Sequence, residues 1–194
     1  MFVLSGSFFA LAFRMKYINR WGLMKNSRYE NLSEHSAQTA MIAHCLAVIG
    51  NRIYGKSYNS ERIALFALYH DLSEIITGDL PTPVKYYNED ILKSYREIES
   101  NAKNELLQKL PEALHEDFSD IVNESCSDDE AKLIKAADKL CALIKCIEEV
   151  QNGNSEFTKA HVSTFAAVEN CGLEEVKYFI DNMLPAFYLT LDEL

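Results

Sequence analysis

The sequence predicts an all-α fold, a compact bundle of several helices, on three observations. Apolar residues recur at three- and four-residue spacings along most of the chain, and no stretch alternates convincingly as a half-buried strand would. Glycines and prolines fall between the periodic segments rather than inside them. A chain of 194 residues, 48% hydrophobic and 25% charged, can close one sizeable core. Residues 7–194 are therefore expected to form a single domain behind a loose extension of residues 1–6.

The opening run Met1 to Phe13 is apolar enough to suggest a signal sequence, yet it lacks a basic start, is too short to span a bilayer and is followed at once by Arg14 and Lys16, so it reads as an amphipathic first helix preceded by a few loose residues. Asn19 to Leu32 is polar and irregular, a connection. Ser33 then fits the N-cap of a helix running to about Asn51, with His35 in its first turn. Asn59 or Ser60 caps the next helix. It carries Ile63, Phe66, Ala67 and His70 on one face and is broken by Thr77-Gly78-Asp79-Leu80-Pro81-Thr82-Pro83. A charged helix is expected from Glu89 to Leu110 and a short one from Pro111 to Phe118. Ser127-Asp128-Asp129-Glu130 matches a capping box and opens a helix ending near Asn152-Gly153. Glu156 to Val168 and Leu173 to Leu184 complete the set.

Three of these helices place a ligand-capable side chain where an apolar one belongs. His70, with Asp71 beside it, closes one stripe; His35 begins another through Thr39, Ile42, Leu46 and Ile49; Asp138 interrupts Ile134, Ala137, Cys141 and Ile144. A buried carboxylate costs stability unless it is hydrogen-bonded, paired or metal-bound, and no lysine or arginine lies near Asp71 in its own stretch. Convergence of the three helices would give two imidazoles and two carboxylates, a metal site in the helical core. Such a donor set suits one divalent ion such as cobalt, manganese or zinc and does not choose among them. An ion with open positions acidifies water and neutralises phosphoryl charge, so a hydrolytic phosphatase follows.

Glu74 lies four residues after His70, and a continuing helix would set its carboxylate on the same face, as general acid or base. On spacing alone a surface glutamate at a helix end fits equally well. Arg20 can clamp a phosphate through its planar fork of donors, or stand as an ordinary surface arginine. Trp21, the only tryptophan, can pack against a sugar or base, or simply anchor its loop. The net charge of −10 argues against a nucleic acid polymer or an anionic membrane as partner and leaves a small phosphate ligand open. Five cysteines without a Cys-x-x-Cys fit reduced thiols in a cytoplasmic protein.

The order His35, His70-Asp71, Asp138 resembles the HD-domain metal-dependent phosphohydrolases. The strings Ile18-Asn19-Arg20-Trp21, Ser33-Glu34-His35-Ser36, Tyr69-His70-Asp71 with Glu74, Thr77 to Tyr86 and Ala137-Asp138 resemble one branch, the bacterial 5'-deoxynucleotidases, over nearly the whole chain. The resemblance implies an HD-domain bundle that hydrolyses deoxyribonucleoside 5'-monophosphates, with little base preference and discrimination against ribonucleotides. It implies His35, His70, Asp71 and Asp138 as metal ligands, the two aspartates also bordering the substrate. Arg20 would orient the phosphate and Trp21 help form the sugar pocket, with Asp79, Leu80, Pro81 and Thr82 as a loop beside the substrate. It also implies a homodimer. Two rivals stand beside this reading: an HD phosphohydrolase acting on another nucleotide, and a non-catalytic nucleotide-binding helical protein.

Overall fold

The computed structural model describes residues 6–85 and 87–194, and among them the secondary structure is helical, with no strand beyond an isolated antiparallel bridge between Asn19 and Asn31. The all-α expectation holds. The chain divides into two compact units, one with the residues up to Leu23, Tyr29–Ser36 and Tyr69–Cys126, the other with Met24–Arg28, Ala37–Leu68 and Ser127–Leu194.

In the first unit, helix α1 (Phe8–Ala12) passes directly into a 3-10 turn at Phe13–Tyr17, so the expected first helix is a single short turn of α-helix. Of the expected N-terminal extension, residues 1–5 lie outside the described residues, while the Gly6 N–H donates to the Lys109 carbonyl at 2.7 Å. Helix α2 (Leu32–Ile53) starts here and continues into the second unit. Its cap is Asn31, not the expected Ser33: Asn31 Oδ1 accepts from the Glu34 N–H at 3.1 Å, and Glu34 returns a bond to the Asn31 N–H. That shift leaves His35 in the first turn.

Helix α3 (Ser60–Tyr69) is capped by Asn59, whose Oδ1 accepts from the Arg62 N–H at 2.9 Å. It does not run on to Glu74 as expected. Beyond Tyr69 the chain turns through His70 to Ser73 and re-enters helix as α4 (Glu74–Thr77), because bonds from Leu72 N–H to Tyr69 and Glu74 N–H to Asp71 tighten the path. The turn drives Leu72 into the core beside Phe8, Met15, Leu32, Leu106 and Val122. Each fully buried leucine or phenylalanine contributes about 1.5–3 kcal/mol there. Gly78, at φ 73, ends α4 in a conformation that strains other residues.

A short α5 (Thr82–Lys85) follows, its first bonds drawn from the Pro81 carbonyl. Helix α6 (Glu89–Leu107), capped by Asn88, buries Tyr95, Ala102 and Leu106 along one stripe and exposes most of its charges. Helix α7 (His115–Val122) begins later and ends later than the expected Pro111 to Phe118, after a 3-10 turn. Phe118 on α7 meets Phe8 edge to face at 5.7 Å, closing this unit's aromatic cluster.

The second unit is built on α8 (Asp128–Gln151), opened by the expected Ser127–Glu130 capping box and lined with Leu133, Ala137, Leu140, Ile144 and Ile147. Helices α9 (Thr158–Glu169) and α10 (Glu174–Asn182) follow, and α9 packs along α8. One buried polar knot interrupts this core. Glu149 on α8 accepts from Lys145 Nζ, the Ser27 N–H at 2.9 Å and Asn154 Nδ2 at 2.7 Å, tying the Met24–Arg28 segment to α8.

Candidate active site

The site begins with a short pairing in the first unit. The Arg20 N–H donates to the Glu30 carbonyl at 2.9 Å and the Leu32 N–H to the Ile18 carbonyl at 3.0 Å, so residues 18–20 run antiparallel to 30–32. The pairing brings Arg20 and Trp21 to the start of α2, where His35 is fully buried. Trp21 holds a left-handed backbone, φ 57, which costs a residue with a side chain about 1–2 kcal/mol. Its indole Nε1–H donates to Glu30 Oε2 at 3.2 Å.

Asp71 is the meeting point. Its Oδ2 lies 3.5 Å from Arg20 Nη1, 3.6 Å from His35 Nε2 and 3.2 Å from His70 Nε2, and the two imidazole rings are 5.4 Å apart. Burial opposes ionisation, yet His70 first and then His35 and Arg20 outweigh it and hold the Asp71 carboxyl well below the usual carboxylate range. The partner that the local sequence did not offer Asp71 thus comes from Arg20, 51 positions away. Two imidazoles and a carboxylate on one buried spot are donors that could hold a divalent ion.

Glu74 behaves in the opposite way. Burial first, then the negative charges of Asp71 and Asp79, push its carboxyl up to about 9, and Arg20 and Lys85 offset only part of that. Its Oε2 is buried without a hydrogen-bond partner, an environment that favours the neutral carboxyl. Burial also raises Asp79, against the pull of Arg20. The Thr77 hydroxyl lies 3.3 Å from Tyr95 Oη, and Lys85, over the Tyr95 ring, donates to Glu99 at 2.9 Å. These contacts brace α4 and α5 against α6.

The structure thus brings Arg20, His35, His70 and Asp71 together, with Glu74 and Asp79 in electrostatic reach. Leu80 and Pro81 occupy the half-buried turn before α5; the Thr82 backbone opens that helix, and its side chain lies outside the description. Asp138 sits half-buried on α8, in the second unit. Sequence reasoning missed Glu30, which is 6% exposed and faces Arg20, Trp21 and His35. No periodicity marks it, since it lies in an irregular connection; only the pairing of residues 18–20 with 30–32 exposes its place.

Residues 7–187 match the family model described as 5'-deoxynucleotidase YfbR-like. The chain is 50% identical over 188 residues to the 5'-deoxynucleotidase YfbR of Escherichia coli O127:H6, covering 96% of this chain and 94% of that protein. The Escherichia coli K12 DH10B protein of that name matches to the same extent. Among solved structures, an HD-domain phosphohydrolase from Listeria innocua superposes with a TM-score of 0.80 at 25% identity, over 93% of this chain and 88% of that one. The HD phosphohydrolase DatZ of cyanophage S-2L, solved with dA and one catalytic zinc ion, shares the fold at a TM-score of 0.61 and 19% identity, over 95% of this chain and 96% of its own. With half its residues shared along nearly its full length and the histidine and aspartate cluster in place, this chain belongs to the YfbR-like 5'-deoxynucleotidase family of HD-domain proteins.

Proposed function

We propose that this protein is a metal-dependent phosphomonoesterase that hydrolyses deoxyribonucleoside 5'-monophosphates to deoxyribonucleoside and phosphate and rejects ribonucleotides. Residues 7–194 act as one HD domain, as a homodimer, in the cytoplasm. One observation carries the reading most: Arg20, His35 and His70 all meet a single oxygen of Asp71, with the proton-holding Glu74 one turn away. Half identity to enzymes of that name over 96% of the chain supports the substrate class.

The donor chemistry fits one divalent ion. His35, His70 and Asp71 offer two imidazoles and a carboxylate in the first unit, with Asp138 as the further carboxylate that the family resemblance implies. When bound, the ion supplies Lewis acidity toward water and the phosphoryl oxygens. Arg20 orients the phosphate through its guanidinium, which Asp71 and Glu30 hold in place. Water oxygen attacks phosphorus as the bond from phosphorus to O5' breaks. Glu74, which holds a proton, gives it to O5' as that bond breaks, and the carboxylate so formed takes the proton of the attacking water, which leaves the nucleoside neutral and restores Glu74. Asp79, Leu80, Pro81 and Thr82 border the substrate on the loop side. Trp21 walls the sugar, so a 2'-hydroxyl meets an apolar surface with no hydrogen-bond partner and ribose is disfavoured.

The test is phosphate release from paired deoxyribonucleotides and ribonucleotides by the metal-loaded protein. Preferential turnover of the deoxyribonucleoside monophosphates is expected. Equal turnover of both sugars would remove the selectivity, and cleavage of triphosphates alone would reassign the substrate. Light scattering of the purified protein should give twice the 22.1 kDa chain mass.

A further inference from the structure

We propose that Glu30 is a positioning residue that couples the metal ligand His35 to the substrate-facing pair Arg20 and Trp21. The inference rests on the functional reading above and extends it to a residue outside the ligand set.

Glu30 divides its two oxygens between two tasks. Oε1 faces His35 Nδ1 at 3.7 Å, on the side of the ring away from Asp71, whereas His35 Nε2 points at Asp71 Oδ2 at 3.6 Å. Oε2 accepts from the Trp21 indole N–H at 3.2 Å and lies 3.6 Å from Arg20 Nε. The carboxylate is almost fully buried and is fixed at its base by the bond from the Arg20 N–H to the Glu30 carbonyl. A buried carboxylate facing Nδ1 at this range stands where outer partners of ligating histidines stand: it favours the tautomer with the proton on Nδ1 and leaves Nε2 as the donor.

The second oxygen extends that task. Trp21 sits in a left-handed backbone conformation, and its indole bond to Glu30 holds it there. A cation held by His35 would strengthen the attraction between its Nδ1 side and Glu30 Oε1, and a shift of Glu30 toward the ring would loosen Oε2 from the indole and the guanidinium. Ion binding is thereby felt at the two residues that touch phosphate and sugar.

The only tryptophan in the chain is Trp21, so its emission reports the state of this bond without interference. Zinc alone, titrated into chelator-treated wild-type protein, should shift the Trp21 emission in step with binding measured by calorimetry. In Glu30→Gln the zinc dissociation constant should weaken by about 10-fold or more. The emission shift should shrink in step, and KM for a deoxyribonucleoside monophosphate should rise along with a fall in kcat. Glu30→Asp, which keeps the charge and loses reach, should recover part of the zinc affinity. Wild-type zinc binding with unmoved Trp21 emission overturns this proposal alone, even if Glu30→Gln fails to fold. A folded Glu30→Gln with wild-type zinc affinity and KM overturns it too. Wild-type protein that binds neither zinc, cobalt nor manganese overturns the functional reading and this proposal with it.

Discussion

At the scale of single residues the candidate site sets two carboxyl groups, three positions apart, in opposite states. Asp71 is kept ionised by His70, His35 and Arg20, while Glu74 is kept protonated by burial and by Asp71 and Asp79. Groups driven apart in this way commonly divide the roles of ligand and proton carrier. Replacing Glu74 by alanine should reduce kcat by about a hundred- to ten-thousand-fold with metal affinity nearly unchanged, and isothermal titration beside steady-state kinetics checks both halves. On the proposed role of Trp21 as a wall against the 2'-hydroxyl, Trp21→Ala should raise ribonucleotide turnover relative to deoxyribonucleotide turnover by roughly 10-fold or more. Competition assays with the two sugars present together read that ratio. At this scale the convergence of His35, His70 and Asp71 was legible from the sequence, because each sits against the grain of an apolar stripe or beside one that does, whereas Glu74 was reached through a helix that does not continue to it. Glu30 was not, because a side chain whose meaning lies in three contacts from one irregular segment leaves no periodic trace.

Among the elements, caps and turns decide where those residues point. The capping box of α8 was readable from Ser127 and Glu130, and Ser127→Ala should cost about 1 kcal/mol in a denaturant melt while leaving kcat untouched. The path from α3 to α4 was not readable. The apolar pattern runs unbroken through Tyr69 and Leu72, and only the burial of Leu72 in the core of the first unit makes the chain turn at His70. A start at Asn31 for α2 was hidden for a similar reason, since Asn31 and Ser33 are both good caps and the reciprocal bond with Glu34 favours the former. The Glu149 knot on α8 yields a pH prediction. Burial opposes its ionisation, but Lys145, Ser27 and Asn154 outweigh that and hold it well below its unfolded value near 4.5. A depressed folded value means the stabilisation is complete above about pH 4.5 and drains away as pH falls below it. Glu149→Gln should therefore lose about 3–5 kcal/mol at pH 7, with the gap to wild type narrowing under pH 4.5, as chemical denaturation across pH would show.

For the whole molecule, composition bounded the answer and the site supplied it. The acidic balance argues against polyanionic partners, and no helix among the described residues is long and apolar enough to cross a membrane. Helical periodicity made the fold class legible, whereas the ion pair of Arg20 with Asp71 joins segments 51 residues apart and is visible only once the chain has folded. The family strings made the substrate class legible, and three of them carry Arg20, His35 and His70, which meet at Asp71. The account stands most directly on phosphate release from a deoxyribonucleoside monophosphate, measured on one preparation first stripped of metal and then reloaded with cobalt, manganese or zinc. It predicts negligible release after stripping, recovery on reloading, and little recovery in a His70→Ala, Asp71→Ala double variant that remains folded. Undiminished release from the stripped protein, or full recovery in that variant, would contradict it.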